Sequence, residues 1–110
     1  MEFDKKIKPE NINNFEKLLE DEYMVLLRNE IKMYILKSVD KEDFYDLTKF
    51  FSKNCIEKSD IKNRLIDRIV KEVKDNQWQI AKIFGGTSLI IKSSDIDKSL
   101  WATNFDFELL

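Results

Sequence analysis

Trp78-Gln79-Ile80-Ala81-Lys82-Ile83-Phe84-Gly85-Gly86-Thr87-Ser88-Leu89-Ile90-Ile91-Lys92 is the stretch on which the fold turns. It holds the only two glycines of the chain, and they are adjacent. Glycine tolerates positive φ, and two such residues between apolar runs favour a tight hairpin. A turn at Gly85-Gly86 pairs Phe84 with Thr87, Lys82 with Leu89, Ile80 with Ile91 and Trp78 with Ser93. It also pairs Ile83 with Ser88, Ala81 with Ile90 and Gln79 with Lys92. Trp78, Ile80, Phe84, Leu89 and Ile91 then share one face, and the other face is mixed and more polar. A slip of one residue would scramble this segregation, so the pattern itself sets the register.

Toward the N-terminus the period changes from strand to helix at about Asn76. Ile61, Leu65, Ile66, Ile69, Val70 and Val73 recur at helical steps and predict a helix opened by Ser59. Asn76 would close it in the left-handed region. Ahead of this, Asp40 is placed to cap a second helix running to about Lys53. Val39 and Phe44 would form a hydrophobic staple around that cap. The first helix is predicted to start near Pro9 to Asn11. Its stripe is Ile12, Phe15, Leu19, Tyr23, Leu26, Leu27, Ile31, Tyr34 and Ile35, widened by Met24, Val25, Met33 and Leu36. So wide a stripe predicts a central helix covered on more than one side; an exposed strip for a partner is the alternative.

Toward the C-terminus, Trp101, Thr103, Phe105, Phe107 and Leu109 alternate with Ala102, Asn104, Asp106 and Glu108, the pattern of a half-buried strand. The sequence therefore predicts one α+β domain over residues 1–110. Three helices are followed by a three-stranded antiparallel meander packed on the helical layer.

Composition fits a globular domain: 43% of the residues are hydrophobic and 36% are charged, in a chain of 110. The formal net charge is −2, so there is no basic field for nucleic acid or anionic membrane. From Ser93 onward Lys98 stands alone against Asp95, Asp97, Asp106 and Glu108, which concentrates the acidity in the tail. No signal-like segment and no membrane-length apolar run is visible, so the cytoplasm is the expected compartment. Cys55 is the only cysteine, which rules out an intramolecular disulfide. It is read as a buried thiol. Lys, Ile, Asn, Phe and Asp are abundant and Ala, Gly and Pro scarce. That is the usage of AT-rich coding sequence and suggests a bacterium or mobile element.

The chain has no histidine, which removes Ser–His and Cys–His nucleophile activation and the common Cys/His zinc sites. No phosphate-cradling glycine loop is present. Asp95 and Asp97 form an Asp-x-Asp pair. Two carboxylates fall short of the ligand count of a hard cation, so they are read as an exposed acidic turn. No catalytic residue, cofactor or metal is expected. Over Gly85–Leu100, with Gly85-Gly86-Thr87-Ser88-Leu89-Ile90-Ile91 leading into Ile96-Asp97-Lys98-Ser99-Leu100, the chain resembles the C-terminal segment of rotary-ATPase peripheral stalk subunits. The long stalk helix of that family has no counterpart, and no family property is carried over.

These observations point to a non-enzymatic protein-binding domain. Its expected role is that of a small acidic inhibitor or immunity-type protein that blocks a partner such as a basic toxin or nuclease. Asp95, Asp97, Asp106 and Glu108 would supply complementary charge, and Trp101 an aromatic anchor. There are two alternatives. Three helices followed by a hairpin is also the order of a winged helix, with Ser59–Asp75 as recognition helix bearing Lys62, Arg64, Arg68, Lys71 and Lys74. Asp67, Glu72 and Asp75 on the same helix would repel phosphate. The last alternative is a small subunit of a larger assembly, docked through the first helix.

Overall fold

The structure is a computed structural model and describes residues 14–38, 43–93 and 108–110. Its elements, in chain order, are helix α1 (Phe15–Ser38), strand β1 (Tyr45–Asp46), helix α2 (Leu47–Lys53), helix α3 (Ser59–Asp75) and strands β2 (Gln79–Ile83), β3 (Ser88–Lys92) and β4 (Glu108–Leu109). The α+β class holds: three helices lie with one antiparallel sheet.

The hairpin forms in the expected register. Gln79 faces Lys92, Ile80 faces Ile91, Ala81 faces Ile90, Lys82 faces Leu89 and Ile83 faces Ser88. The Gly85-Gly86 turn is closed by Thr87, whose N–H and hydroxyl donate to the Phe84 carbonyl at 3.4 and 2.9 Å, but strand pairing stops at Ile83–Ser88 and Phe84 joins Gly85 and Gly86 at positive φ (54°, 68° and 91°). A Phe held there carries the steric cost that glycine avoids. Its exposed ring meets that of Phe44 edge-on at 5.1 Å.

The meander is corrected. The sheet order is β1-β3-β2-β4. The last strand lies against β2, with Ala81 opposite Leu109 and Lys82 opposite Glu108. The free edge of β3 is taken by β1, with Tyr45 opposite Leu89 and Asp46 opposite Ser88. Where helix was predicted after Asp40, the chain runs extended through Tyr45–Asp46, and α2 starts at Leu47. Its cap is Asp46, whose carboxylate accepts the backbone N–H of Thr48 at 2.9 Å and of Lys49 at 3.4 Å. Val39 and Asp40 lie outside the described residues; the Phe44 ring packs on Phe84.

The core joins all layers. Met24, Leu27, Ile31 and Tyr34 of α1 meet Leu47, Phe50 and Phe51 of α2, Ile61, Leu65, Ile69 and Val73 of α3, and Ile80, Leu89 and Ile91 of the sheet. Ile61, Leu65, Ile69 and Val73 recur every four residues, about one helical turn, so α3 buries the face its stripe predicts. The other face of the hairpin, mixed and more polar in sequence, is also covered: Ala81, Ile83, Ser88 and Ile90 are buried. Three smaller expectations also change. Lys58 precedes α3 with no side-chain cap, and Ser59 is its first residue. Asn76 keeps a negative φ while Gln77 takes the left-handed value of 69°. Cys55 is exposed, at φ 56° in the α2–α3 turn.

Candidate functional site

Helix α1 is 24 residues long, which makes it about 36 Å from end to end. Its buried line is Glu20, Met24, Leu27, Ile31, Tyr34 and Ser38. This line lies to one side of the predicted stripe. Leu19 and Leu26, expected in the core, are exposed. Met24, expected at its margin, is fully buried. Leu19, Leu26 and Met33 instead recur a heptad apart on the outward side, each near half exposed, with Val25 and Leu36 on the adjacent line. Leu36 is the most open of these, at 66%. The helix thus has two apolar faces, and the described residues cover one of them.

Grooves flank this outer face along its C-terminal half. One, of about 420 Å³, is floored by Ile31, Ile35, Ile69, Val73 and Trp78 and edged by Lys32. The other, of about 550 Å³, lies beside Met33 and Lys37 and is backed by Tyr34 and Tyr45. The tyrosine hydroxyls are occupied. Tyr34 donates to the Asp43 carbonyl at 3.0 Å, and Tyr45 donates to Glu30 at 3.1 Å. Burial, opposed in part by the bond from the Ile91 N–H, pushes the Tyr34 phenol up to about 12. Tyr45 is raised further, by burial and then by the Glu30 carboxylate. Neither phenol is poised for proton transfer at neutral pH.

The inner side of α1 is fastened to α3 by charge. Glu20, almost buried, accepts from Arg64 Nε at 2.8 Å and from Arg68 Nη1 at 3.2 Å. Arg64 also reaches Glu16 at 3.2 Å, Arg68 reaches Asp21 at 2.9 Å, and Arg28 bonds Glu72 at 2.7 Å. The bond to Glu20 raises the Arg64 pKa above its ordinary value. No local pattern marks Glu20 for this role, because the two arginines that close on it lie 44 and 48 residues further along the chain. Arg64 and Arg68 are therefore committed to α1 carboxylates. The outward residues Asp60, Asn63, Asp67, Lys71 and Lys74 leave no net positive charge on α3 for a phosphate backbone.

Of the expected contact residues, Asp95, Asp97, Trp101 and Asp106 lie outside the described residues. Glu108 is exposed on β4, opposite Lys82. Among the described residues, no group of three or more Cys, Asp or Glu side chains could hold a metal ion. Among them, too, no helix is long and apolar enough to cross a membrane. No family model, curated protein or solved structure matches the chain.

Proposed function

We propose that this chain is a protein-binding domain that works by contact and not by catalysis, and that the outer apolar face of α1 is its contact surface. The observation that carries this reading is the second apolar line of Leu19, Leu26 and Met33, with Val25 and Leu36 beside it, left uncovered on a helix whose other line fills the core. Exposed apolar surface of a few hundred Å² on a monomer tends to be functional. The finer reading is an inhibitor or immunity-type protein whose acidic residues, Asp95, Asp97, Asp106 and Glu108, complement a basic partner. It rests on charge alone.

The test uses the tagged chain expressed in its native host, with bound protein identified by mass spectrometry and remeasured from purified components. The variant Leu26→Glu/Met33→Glu should lose at least about tenfold in affinity. Asn63→Glu, on the exposed face of α3, should bind as wild type does. Equal affinity for all three chains would overturn the reading.

A second reading has one observation in its favour. The helix pair α2–α3 leads into the β2–β3 hairpin, and β1 from ahead of the pair completes the sheet beside β3, which is winged-helix connectivity. Against it stand the arginines tied to α1 and the neutral outer face of α3. A winged helix can equally present its surfaces to protein.

A further inference from the structure

We infer that the occupant of the outer face of α1 is a second copy of this chain, packed with its own α1 antiparallel across a two-fold axis near Leu26–Asn29. The inference rests on the contact reading above and names the partner for that surface.

Charge along the helix supplies the first argument. The N-terminal half of α1 carries Glu16, Glu20, Asp21 and Glu22 against Lys17, while the C-terminal half carries Arg28, Lys32 and Lys37 against Glu30. Most of these charges are satisfied within the molecule: Glu16, Glu20 and Asp21 by α3 arginines, Arg28 by Glu72 and Glu30 by Lys53 at 2.9 Å. Of the α1 charges, Lys17, Glu22, Lys32 and Lys37 enter no ion pair among the described residues. Glu22 sits in the acidic half, between the apolar lines. Lys32 and Lys37 border the apolar face in the basic half. A parallel neighbour would oppose like charges. An antiparallel copy places each Glu22 beside the other copy's Lys32, twice per dimer, because a two-fold interface repeats every contact.

The second argument is apolar register. About an axis near Leu26–Asn29, Leu19 falls near the other copy's Met33, and Leu18 near its Leu36. The small polar Asn29 lies at the crossing. The C-terminal half of α1 is a ridge between two grooves, so the N-terminal half of a second copy has a groove to enter, as in ridges-into-grooves packing. The exposed apolar side chains supply a few hundred Å² per copy. A stable interface buries about 800 Å² per partner, so this dimer must bury the groove walls together with the exposed apolar side chains.

The experiment is sedimentation equilibrium of the purified chain over a concentration series up to about 0.5 mM, with circular dichroism on each variant to confirm the fold. Wild type is expected to dimerise, and Leu26→Glu to be monomeric. Glu22→Lys and Lys32→Glu should each weaken the dimer roughly tenfold, because each changes two exposed pairs per dimer. The double swap Glu22→Lys/Lys32→Glu should restore it. In a Cys55→Ser background, Leu19→Cys should cross-link to Met33→Cys more readily than either does to itself. A chain that stays monomeric throughout would overturn the inference. So would a dimer indifferent to Leu26→Glu, or charge swaps without rescue. A monomer whose α1 variant still loses a different protein would leave the contact reading standing and remove only the second copy.

Discussion

Tyr34 shows how much one side chain can carry. Its ring is in the core, and its hydroxyl donates to the Asp43 carbonyl while accepting, at 3.4 Å, from the Ile91 N–H. It thereby joins α1 to the segment ahead of β1 and to β3. The folded-state pKa near 12 exceeds the unfolded value near 10, so its contribution is complete below pH 10 and falls as pH rises from 10 toward 12. A stability profile by denaturant titration should lose on the order of 1–2 kcal/mol across that window. Tyr34→Phe should make the decline shallower, with Tyr45, raised further, supplying the remainder. Asp46 has the opposite sign. Its bond from the Thr48 hydroxyl, together with the N–H groups it caps, lowers its pKa, so its contribution is present above about pH 4 and is lost as acid titrates it. Because the carboxyl is largely exposed, Asp46→Ala should cost only about 1 kcal/mol, the usual value for a lost cap, and most of that difference should vanish in acid.

At the level of elements, α1 and α3 are bound by apolar packing on one line and by the Glu20 clamp along its border. The two should respond differently to mutation and to salt. Leu65→Ala or Ile69→Ala removes a fully buried aliphatic side chain and should cost about 2–5 kcal/mol, checked by the urea midpoint at unchanged m. Glu20→Gln keeps shape and leaves two arginines without their shared carboxylate. Since both guanidinium groups are substantially exposed, the loss should be about 1 kcal/mol and should shrink as salt is added. The hairpin supplies a third case. Ile90 lies on the mixed, more polar face of the hairpin and is fully buried. Ile90→Ala should therefore destabilise by about 2–5 kcal/mol, whereas a solvent-facing strand position would give a change near zero.

Taken as a whole molecule, the described residues combine an α2–α3–β2–β3 order, with β1 beside β3, and two α3 arginines paired with α1 carboxylates. In a gel-shift assay at low salt, random duplex should show no shift at micromolar protein. Releasing Arg64 and Arg68 by Glu16→Gln/Glu20→Gln/Asp21→Asn should raise duplex affinity. A salt-sensitive shift by wild type would return nucleic acid to consideration. The same arginines thus serve the fold at the expense of a basic surface, and the accessible apolar surface is moved to the far side of α1.

The sequence by itself determined what local period can determine. The β2–β3 register follows from Gly85-Gly86 and the side-chain alternation around it, and the buried face of α3 follows from a single clean stripe. Both are short-range: each partner is fixed within a turn or across a tight loop. The fate of α1 was different. It carries two apolar lines of similar strength, and nothing within the helix says which one faces inward. That choice was made by residues distant in the chain: Arg64 and Arg68 closing on Glu20, and the side chains of α2, α3 and the sheet that enclose Met24, Leu27 and Ile31. Tertiary structure also decided that Tyr45–Asp46 joins β3 as a strand and that Glu108–Leu109 pairs with β2. A two-residue strand has no period to read, and its conformation is set by the edge that supplies its hydrogen bonds.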